Sequence, residues 1–291
     1  MRILVTGSKG QLGLDVTKAL LKNDDTVVAV DVEEMDITDK KTVEEYIINS
    51  KVDAVIHCAA YTAVDNAENN VDLCRRVNRD GTQNIADVCK RLDIKMLYIS
   101  TDYVFNGKGI EPWTPDEKRE PLNVYGQTKY EGELAVENTL YKYFIVRISW
   151  VFGINGKNFV HTILNLGRTH DKLTVVSDQI GSPTYTVDLA KLLCDMIQSE
   201  KYGRYHATNE GICSWYEFTK EIMKQAAEYY PEYANVNVLP VSSDAFPTKA
   251  KRPSNSRMSK DKLVENGFYK LPSWQDALRR YLKELKENEQ F

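Results

Sequence analysis

The stretch Thr6-Gly7-Ser8-Lys9-Gly10-Gln11-Leu12-Gly13 decides the fold class, because it joins a short apolar run to an amphipathic one. The run before it, residues 2–6 (RILVT), is typical of a buried strand, and residues 11–22 have helical periodicity. Gly7 permits a tight turn, Gly10 lets the backbone approach a diphosphate, and Gly13 allows the helix to pack closely on the strand. The stretch therefore predicts that a dinucleotide binds at the positive end of the helix dipole, against Gly7, Lys9, Gly10, Gln11, Leu12 and Gly13.

The rest of the first 150 residues alternates apolar runs with helical patterns. Helices are predicted at about 40–50, 70–92 and 124–139, and further strands at Thr26–Asp31, Ala54–Cys58, Lys95–Ser100 and Tyr143–Ser149. The first four of the five strands are too uniformly apolar to have a solvent-facing side, as expected of parallel strands covered by helices on both faces. This alternation predicts an α/β fold with a Rossmann-type doubly wound parallel sheet.

The alternation becomes less regular after Trp150. Leu173–Val176 and Gly203–His206 are predicted to be further strands of the same sheet, with a helix near 186–199 between them. Residues 235–261 are rich in proline, serine and asparagine and are predicted to be mostly loop, before a last helix at 273–287. We therefore expect a dinucleotide-binding domain of residues 1–150 plus about 173–207, and a smaller C-terminal substrate-binding lobe of residues 151–172 plus about 208–291.

Residues near the ends of the second and third strands are candidates for contact with the rest of a dinucleotide. Asp31 lies 18 residues after Gly13, close to the ~20-residue offset of the acid that binds the adenosine ribose. Its carboxylate favours a free 2′-hydroxyl, whereas the ammonium of Lys9 can neutralise a 2′-phosphate. The sequence therefore predicts use of both NADH and NADPH, with contacts from Asp36 and Ile37 to the adenine and from Ala59, Ala60 and Tyr61 to the second ribose.

Tyr125 and Lys129 form a Y-x-x-x-K pair that lies on one face of a predicted helix. A phenol has a reference pKa of ~10, and a neighbouring ammonium lowers it, which makes proton donation to a nascent alkoxide easier near neutral pH. Thr101 ends the fourth strand, at the edge of the sheet where ligands collect, and can polarise a carbonyl there. With a dinucleotide as the hydride source, this trio predicts carbonyl reduction.

The composition argues against several other classes of function. The chain has 291 residues and a net charge of −4, with dispersed lysine and arginine, so neither nucleic acid nor an anionic membrane is expected as a main partner. The five cysteines contain no C-x-x-C and the four histidines have no metal-ligand spacing, so neither a disulfide framework nor a zinc site is expected. With no secretory leader and no apolar run of about 20 residues, the expected location is the cytoplasm.

Several blocks of the sequence resemble one known family. Tyr98–Phe105 (YISTDYVF), Pro121–Lys129 (PLNVYGQTK) and Arg147–Phe152 (RISWVF) are similar to motifs of the dTDP-4-dehydrorhamnose reductases, which are extended short-chain dehydrogenase/reductases. The G-x-x-G-x-x-G spacing of the first loop is also typical of short-chain dehydrogenase/reductases. Because residues 60–68, 178–184 and 252–257 fit as well, the resemblance covers essentially the whole chain.

The resemblance implies an activity and the residues that perform it. The implied reaction is NAD(P)H-dependent reduction of the C4 ketone of dTDP-4-dehydro-6-deoxy-L-mannose to dTDP-L-rhamnose, the last step of dTDP-rhamnose biosynthesis. The implied catalytic residues are Thr101, Tyr125 and Lys129. Trp150 would offer an aromatic wall to the substrate and Arg257, or a neighbour, a guanidinium fork to its diphosphate. The full set implied to contact the sugar nucleotide is Thr101, Asp102, Val104, Trp150 and Arg257.

One position departs from part of that family. Some members are implied to dimerise through a magnesium ion held by glutamates, one of which follows the proline–threonine of the block at 178–184. The matching residue here is Val187, which cannot ligate a hard cation. The sequence therefore predicts no metal, and a monomer or a weak homodimer.

Two alternatives to this function remain open from the sequence. One is a reductase of another nucleotide 4-keto-6-deoxysugar, because the sequence leaves the C4 stereochemistry of the product open. The other is a non-catalytic, cofactor-binding regulatory subunit of another enzyme. The presence of Thr101, Tyr125 and Lys129 together favours an enzyme.

Overall fold

The structure, a computed structural model, describes residues 1–288 and 290–291. The strands are β1 (Arg2–Thr6), β2 (Thr26–Val30), β3 (Ala54–His57), β4 (Lys95–Thr101), β5 (Tyr143–Ile148), β6 (Val151–Phe152), β7 (Lys172–Val176), β8 (Ile180–Gly181), β9 (Thr184–Tyr185), β10 (Gly203–His206), β11 (Asn209–Glu210), β12 (Cys213–Ser214), β13 (Asn237–Val241) and β14 (Leu271–Ser273). The α-helices are α1 (Gln11–Lys22), α2 (Lys40–Ser50), α3 (Val64–Ala67), α4 (Val71–Arg75), α5 (Thr82–Leu92), α6 (Val124–Thr139), α7 (Phe159–Gly167), α8 (Thr186–Gln198), α9 (Trp215–Ala226), α10 (Asp261–Glu265) and α11 (Trp274–Glu287).

Six parallel strands form the main sheet, in the order β10-β5-β4-β3-β1-β2. One face packs on α1 and α8 through an apolar cluster that includes Val16 and Leu193. The other face packs on α2, α5 and α6, where Ile47, Ile85 and Val136 are fully buried. Burial on both faces accounts for the uniformly apolar strands. The prediction of an α/β fold with a Rossmann-type doubly wound sheet is confirmed.

The helix predicted at 70–92 contains a wider turn in its middle. Residues 76–81 form a π-helical segment between α4 and α5. Asn78 is buried in this segment, where its side-chain oxygen accepts a hydrogen bond from the N–H of Tyr61 at 2.8 Å and its carbonyl accepts one from Thr82 Oγ1 at 2.8 Å. Such π-bulges are single wide turns within an α-helix, and the hydrophobic periodicity of the sequence does not reveal them. The segment fixes the loop after β3 against α5.

The second lobe is built around an aromatic core that includes Phe152, Phe218 and Tyr281. β7 pairs here with β13 in a separate two-stranded parallel sheet. The prediction that Leu173–Val176 joins the main sheet is therefore wrong, and the loop predicted at 235–261 contains a strand. The reason is visible in the burial of β7, which alternates between exposed and buried residues, as suits a sheet with one covered face.

Gly203–His206 does join the main sheet, beside β5, as predicted. The final helix, predicted at 273–287, is α11, and the Ser273 side chain accepts from the N–H of Asp276 to cap its start. Within the described residues, no helix combines the length and the apolar character needed to cross a membrane.

Candidate active site

A cavity of about 910 Å³ lies at the carboxyl ends of β1, β3, β4 and β5, and the second lobe closes one side of it. Ligands of doubly wound sheets bind at this edge. Most of the residues predicted from the sequence line it: Gly7, Lys9, Gly10, Gln11, Leu12, Gly13, Asp31, Asp36, Ile37, Ala59, Ala60, Thr101, Asp102, Tyr125, Lys129 and Trp150.

Three predicted residues lie outside the cavity wall. Val104 is fully buried in the short 3₁₀ turn after β4, where its side chain packs in the protein interior. The backbone of Tyr61 is held by the buried amide of Asn78. Arg257 donates its Nη1 to the side-chain oxygen of Asn255, and its carbonyl accepts from the N–H of Trp113, so its guanidinium is folded back into its own loop. These three residues are therefore not among those that line the cavity.

The glycine-rich loop has the geometry that phosphate binding requires. Gly7 has a positive φ of 62°, which favours glycine. A Cβ on Gly13 would lie 2.1 Å from the carbonyl oxygen of Gly7, so only glycine fits this contact between helix and loop. Gly10 is the N-cap of α1 and has no side chain to accept from the first N–H groups of the helix. Those groups remain available to an anion.

The outer end of the cavity is acidic around Lys9. Asp31 Oδ2 accepts from the backbone N–H of Lys9 at 3.0 Å. The Lys9 ammonium pairs with Glu33 at 2.8 Å and Glu34 at 3.2 Å, and hydrogen bonds to these two carboxylates raise the pKa of Lys9. The expectation that this ammonium stands ready to neutralise a 2′-phosphate is therefore not supported, because two neighbouring glutamates already balance its charge.

Thr101 ends β4 and its hydroxyl is held by the residue that follows it. Thr101 Oγ1 donates to Asp102 Oδ1 at 3.0 Å, and Ser256 Oγ donates to the other oxygen of the same carboxylate. Both Thr101 and Asp102 are buried. Burial raises the pKa of Asp102 to about 6, against the opposing hydrogen bonds from Ser256 and Thr101. Both carboxylate oxygens thus have protein partners, which suits Asp102 to orienting Thr101.

Tyr125 and Lys129 project from α6, whose start is fixed by Asn123, the side chain of which accepts from the N–H of Gly126 at 2.8 Å. The ring of Tyr125 meets that of Tyr103 edge-on, with centroids 5.5 Å apart. Lys129 is buried, and its Nζ lies 4.0 Å from the centroid of the Tyr98 ring. This cation–π contact holds the ammonium at the inner end of the cavity.

The pKa values of this pair differ from the sequence-based expectation. Burial raises the pKa of Tyr125 above its usual range, although hydrogen bonding with Thr101 opposes the rise. Burial lowers the pKa of Lys129 to about 7, with Glu133 opposing that change. The prediction that Lys129 depresses the pKa of Tyr125 is wrong here, because removing each group from water disfavours its charged form more than its neighbours favour it.

A buried ion cluster lies one helical turn beyond Lys129. Glu133 accepts from Ser100 at 2.6 Å, from Arg147 through both carboxylate oxygens at 2.7 and 2.8 Å, and from Arg119 at 2.8 Å. Burial alone would raise the pKa of Glu133, but Arg147 and Arg119 hold that pKa at about 2. Since Ser100 precedes Thr101, this cluster ties the end of β4 to α6, and with it Thr101 to Lys129.

The far wall of the cavity is a stacked pair of indole rings, Trp150 and Trp215. Their centroids are 3.6 Å apart and their planes differ by 14°. Trp150 has a positive φ of 50°, which is unusual for a bulky residue and is often found at functional sites. Trp215 was not predicted, because it begins a helix in the second lobe and nothing in its local sequence indicates a cavity wall.

Val187, the residue that the resemblance aligns with a metal-ligating glutamate of some family members, lines a second cavity between α1, α8 and α11. Asp15 and Glu284 line the same cavity, together with Lys18, Lys22 and Lys191. In the part of the chain that the structure describes, no three His, Cys, Asp or Glu side chains are grouped so that they could hold a metal ion.

The sequence profile of the family described as "RmlD substrate binding domain" matches residues 1–287. The spore coat polysaccharide biosynthesis protein SpsK of Bacillus subtilis (strain 168) is 39% identical over 283 residues, 97% of each chain. The dTDP-4-dehydrorhamnose reductase of Aggregatibacter actinomycetemcomitans is 40% identical over 285 residues, 96% of this chain and 97% of the relative.

Among solved structures, the dTDP-4-dehydrorhamnose reductase of Bacillus anthracis, in complex with NADP, is 41% identical and superimposes with a TM-score of 0.91, over 97% of this chain and 99% of that one. Likeness at this identity and coverage extends through both lobes and the cavity between them. The chain therefore belongs to the dTDP-4-dehydrorhamnose reductase family, the family of the RmlD substrate binding domain.

Proposed function

We propose that this protein is an NAD(P)H-dependent dTDP-4-dehydrorhamnose reductase. It reduces the C4 ketone of dTDP-4-dehydro-6-deoxy-L-mannose to dTDP-L-rhamnose, the last step of dTDP-rhamnose biosynthesis. The observation that carries the proposal is that one cavity contains a glycine-rich phosphate loop at one end and Thr101, Tyr125 and Lys129 at the other. Two of the relatives described above, at 40% and 41% identity, bear this enzyme name, and each matches over nearly its whole length.

The residues present fit a nicotinamide dinucleotide. The close contact at Gly13 and the uncapped start of α1 leave room and donors for its diphosphate. Asp31, at the end of the second strand, is proposed to bind the adenosine ribose. Lys129 is proposed to donate a hydrogen bond to the nicotinamide ribose at the inner end of the cavity. When bound, the reduced nicotinamide supplies the hydride for the reaction.

Tyr125 is the proposed proton donor. Because its pKa is raised, the phenol is protonated throughout the neutral range and holds the proton that the C4 oxygen must receive. Thr101 is proposed to bind the same oxygen of the substrate. Its hydroxyl hydrogen, directed at Asp102 in this structure, must turn toward the substrate to do so.

The sugar nucleotide is proposed to bind between Thr101 and the indole pair. Trp150 and Trp215 present an aromatic face on the side contributed by the second lobe. Asp102, held by Ser256 from that same lobe, is proposed to orient Thr101 rather than to bind the sugar directly. The proposed cofactor domain is residues 1–150 plus about 173–207, except that Lys172–Val176 is assigned to the smaller lobe with its partner strand. We propose a monomer or a weak homodimer.

A single assay tests the function against both alternatives. Purified protein is incubated with dTDP-4-dehydro-6-deoxy-L-mannose and NADH or NADPH, and the configuration of the product at C4 is determined by NMR. Formation of dTDP-L-rhamnose is the expected result. A product with the opposite C4 configuration would identify a reductase of the same ketosugar that delivers hydride to the other face of the ketone. Cofactor binding without turnover of this substrate would contradict the proposed reaction, and turnover of another nucleotide 4-keto-6-deoxysugar would then separate a reductase of that sugar from a regulatory subunit.

A further inference from the structure

The loop between β6 and α7, residues 153–158, lies against the glycine-rich loop. The side chain of Asn155 donates to the carbonyl of Lys9, and Asn158 Nδ2 donates to Gln11 Oε1 at 3.0 Å. Gln11 Nε2 in turn donates to the carbonyl of Val151 at 3.4 Å. These contacts join a segment of the second lobe to the residues that begin α1. The segment therefore forms a second side of the phosphate-binding end of the cavity.

The charges of the cavity wall single out one residue of this loop. Within the described residues, the cationic side chains that line the cavity are Lys9, Lys129 and Lys157. Lys9 is balanced by two glutamates, and Lys129 is buried over the ring of Tyr98 at the catalytic end. Lys157 is exposed and forms no ion pair with the carboxylates of residues 1–288. Lys157 is therefore the lysine of the cavity wall whose charge is available to a ligand.

A dinucleotide brings two negative charges to this end of the cavity on its diphosphate. The start of α1 offers N–H donors and a partial positive charge, which is about half of one elementary charge. A further full positive charge from the opposite side would balance most of the remainder. Lys157 is adjacent to Asn158 and two residues after Asn155, and both asparagines contact the glycine-rich loop. The flexible stem of Lys157 can therefore reach a diphosphate bound there.

We propose that Lys157 is a binding residue for the diphosphate of the nicotinamide dinucleotide, placed opposite the glycine-rich loop by the second lobe. The inference rests on the proposed function, since it needs a dinucleotide in this cavity. It assigns to the substrate-side lobe a direct part in holding the cofactor. It also explains why the loop at 153–158 is anchored to Lys9 and Gln11 rather than to its own lobe alone.

The test is a calorimetric titration of the full-length protein with NADH and with NADPH, which needs no turnover. The variants are Lys157→Ala, Lys157→Arg and, as a control, Lys172→Ala, an exposed lysine of the second lobe outside the cavity wall. We expect Lys157→Ala to raise the Kd of both cofactors by about 3- to 10-fold, in the range of solvent-accessible charge pairs and charge-assisted hydrogen bonds. Lys157→Arg and Lys172→Ala should stay within about twofold of wild type. Added salt should reduce the difference between Lys157→Ala and wild type.

Several results would overturn the proposal. If Lys157→Ala binds NADH as wild type does, the lysine does not contact the diphosphate. A larger loss for NADPH than for NADH would place the ammonium at the 2′-phosphate instead. An unchanged Kd for cofactor with a raised KM for the dTDP-sugar would place it at the diphosphate of the substrate. If wild-type protein binds neither NADH nor NADPH, the proposed function itself fails, and that outcome is distinct from the other three.

Discussion

The two lysines at opposite ends of the cavity have opposite environments. Lys129 is buried on α6, and burial lowers its pKa to about 7. The Lys9 side chain is 59% exposed, and its pKa is raised by hydrogen bonds to Glu33 and Glu34. Both residues stand out in the sequence as cations for a cofactor, yet only the surroundings determine what each charge can do. The inner end is a buried site whose lysine titrates near neutrality, and the outer end is a solvated, acidic site where Lys9 faces Asp31, Glu33 and Glu34.

The largest expected effect concerns the inner end. Tyr125→Phe removes the proposed proton donor and should lower kcat by ~10²–10⁴-fold, about 3–5 kcal/mol of barrier, while cofactor and substrate affinity change by only a few-fold. Lys129→Met should differ, because it removes a cation proposed to contact the cofactor, so that the KM for cofactor rises as kcat falls. Steady-state kinetics on folded variants measure both. A Tyr125→Phe variant within threefold of wild-type kcat would assign proton delivery to another group.

Stability should distinguish the two ends as sharply as kinetics does. Glu133→Gln removes the buried carboxylate that two arginines share and should lower the free energy of unfolding by about 3–5 kcal/mol. Glu33→Gln, which breaks an exposed pair with Lys9, is the matched change at the outer end and should have no measurable effect. Urea denaturation gives both values. Equal losses for the two variants would show that the cluster around Glu133 is not tightly coupled.

The pH dependence of activity should follow Lys129 rather than Tyr125. As pH rises through about 7, Lys129 loses the proton that makes it a cation, whereas Tyr125 keeps its own because its pKa is raised. The value of kcat/KM for the cofactor should therefore decline above neutrality, approaching tenfold per pH unit for a single ionisation. A profile that stays flat until pH ~10, the usual pKa of a phenol, would assign the ionisation to a tyrosine instead.

At the outer end, cofactor choice should change by a smaller factor. Wild-type protein should use NADH and NADPH with kcat/KM values within ~100-fold of each other, about 2.7 kcal/mol. Asp31→Ser should raise the NADPH-to-NADH ratio by about five- to tenfold, because it removes a carboxylate that repels a 2′-phosphate. Lys9→Gln should change that ratio by less than about threefold, since its charge is already paired. A larger change for Lys9→Gln than for Asp31→Ser would reverse the roles assigned to these residues.

Removal of divalent metal should leave the activity of the protein unchanged. The resemblance aligns Val187 with a metal-ligating glutamate of some family members, and magnesium binds oxygen ligands, which valine does not have. Activity after dialysis against EDTA should equal that of untreated protein. Loss of activity that magnesium restores would contradict this prediction.

The bounds of β1 to β5 could be predicted from the sequence to within about one residue, because each is a local apolar run between helices. The glycine-rich loop could also be predicted from the sequence, because its conformation depends on backbone geometry that its three glycines permit. The pairing of β7 could not be predicted from the sequence. Its partner β13 lies some 60 residues further along the chain, and periodicity does not identify which strands pair.

The parts of the site that the sequence missed come from tertiary packing. Trp215 and Lys157 line the cavity from the second lobe, and no sequence pattern around either residue predicts this position. Val104 belongs to a specific block, yet its side chain is packed in the interior, which shows that a motif also contains residues of purely structural use. The directions of the pKa shifts at Tyr125 and Lys129 follow from burial, which the one-turn spacing of the pair does not reveal.

The stacked indoles of Trp150 and Trp215 give the protein a built-in optical signal. Rings whose centroids are 3.6 Å apart share their ultraviolet transitions, so the pair should produce a coupled band in circular dichroism that an isolated tryptophan lacks. Trp150 lies two residues after β5 of the main sheet, whereas Trp215 begins α9 of the second lobe. A ligand that separates or tilts them would change the band directly. Occupation of the substrate side could therefore be followed without a label, a coupled assay or turnover.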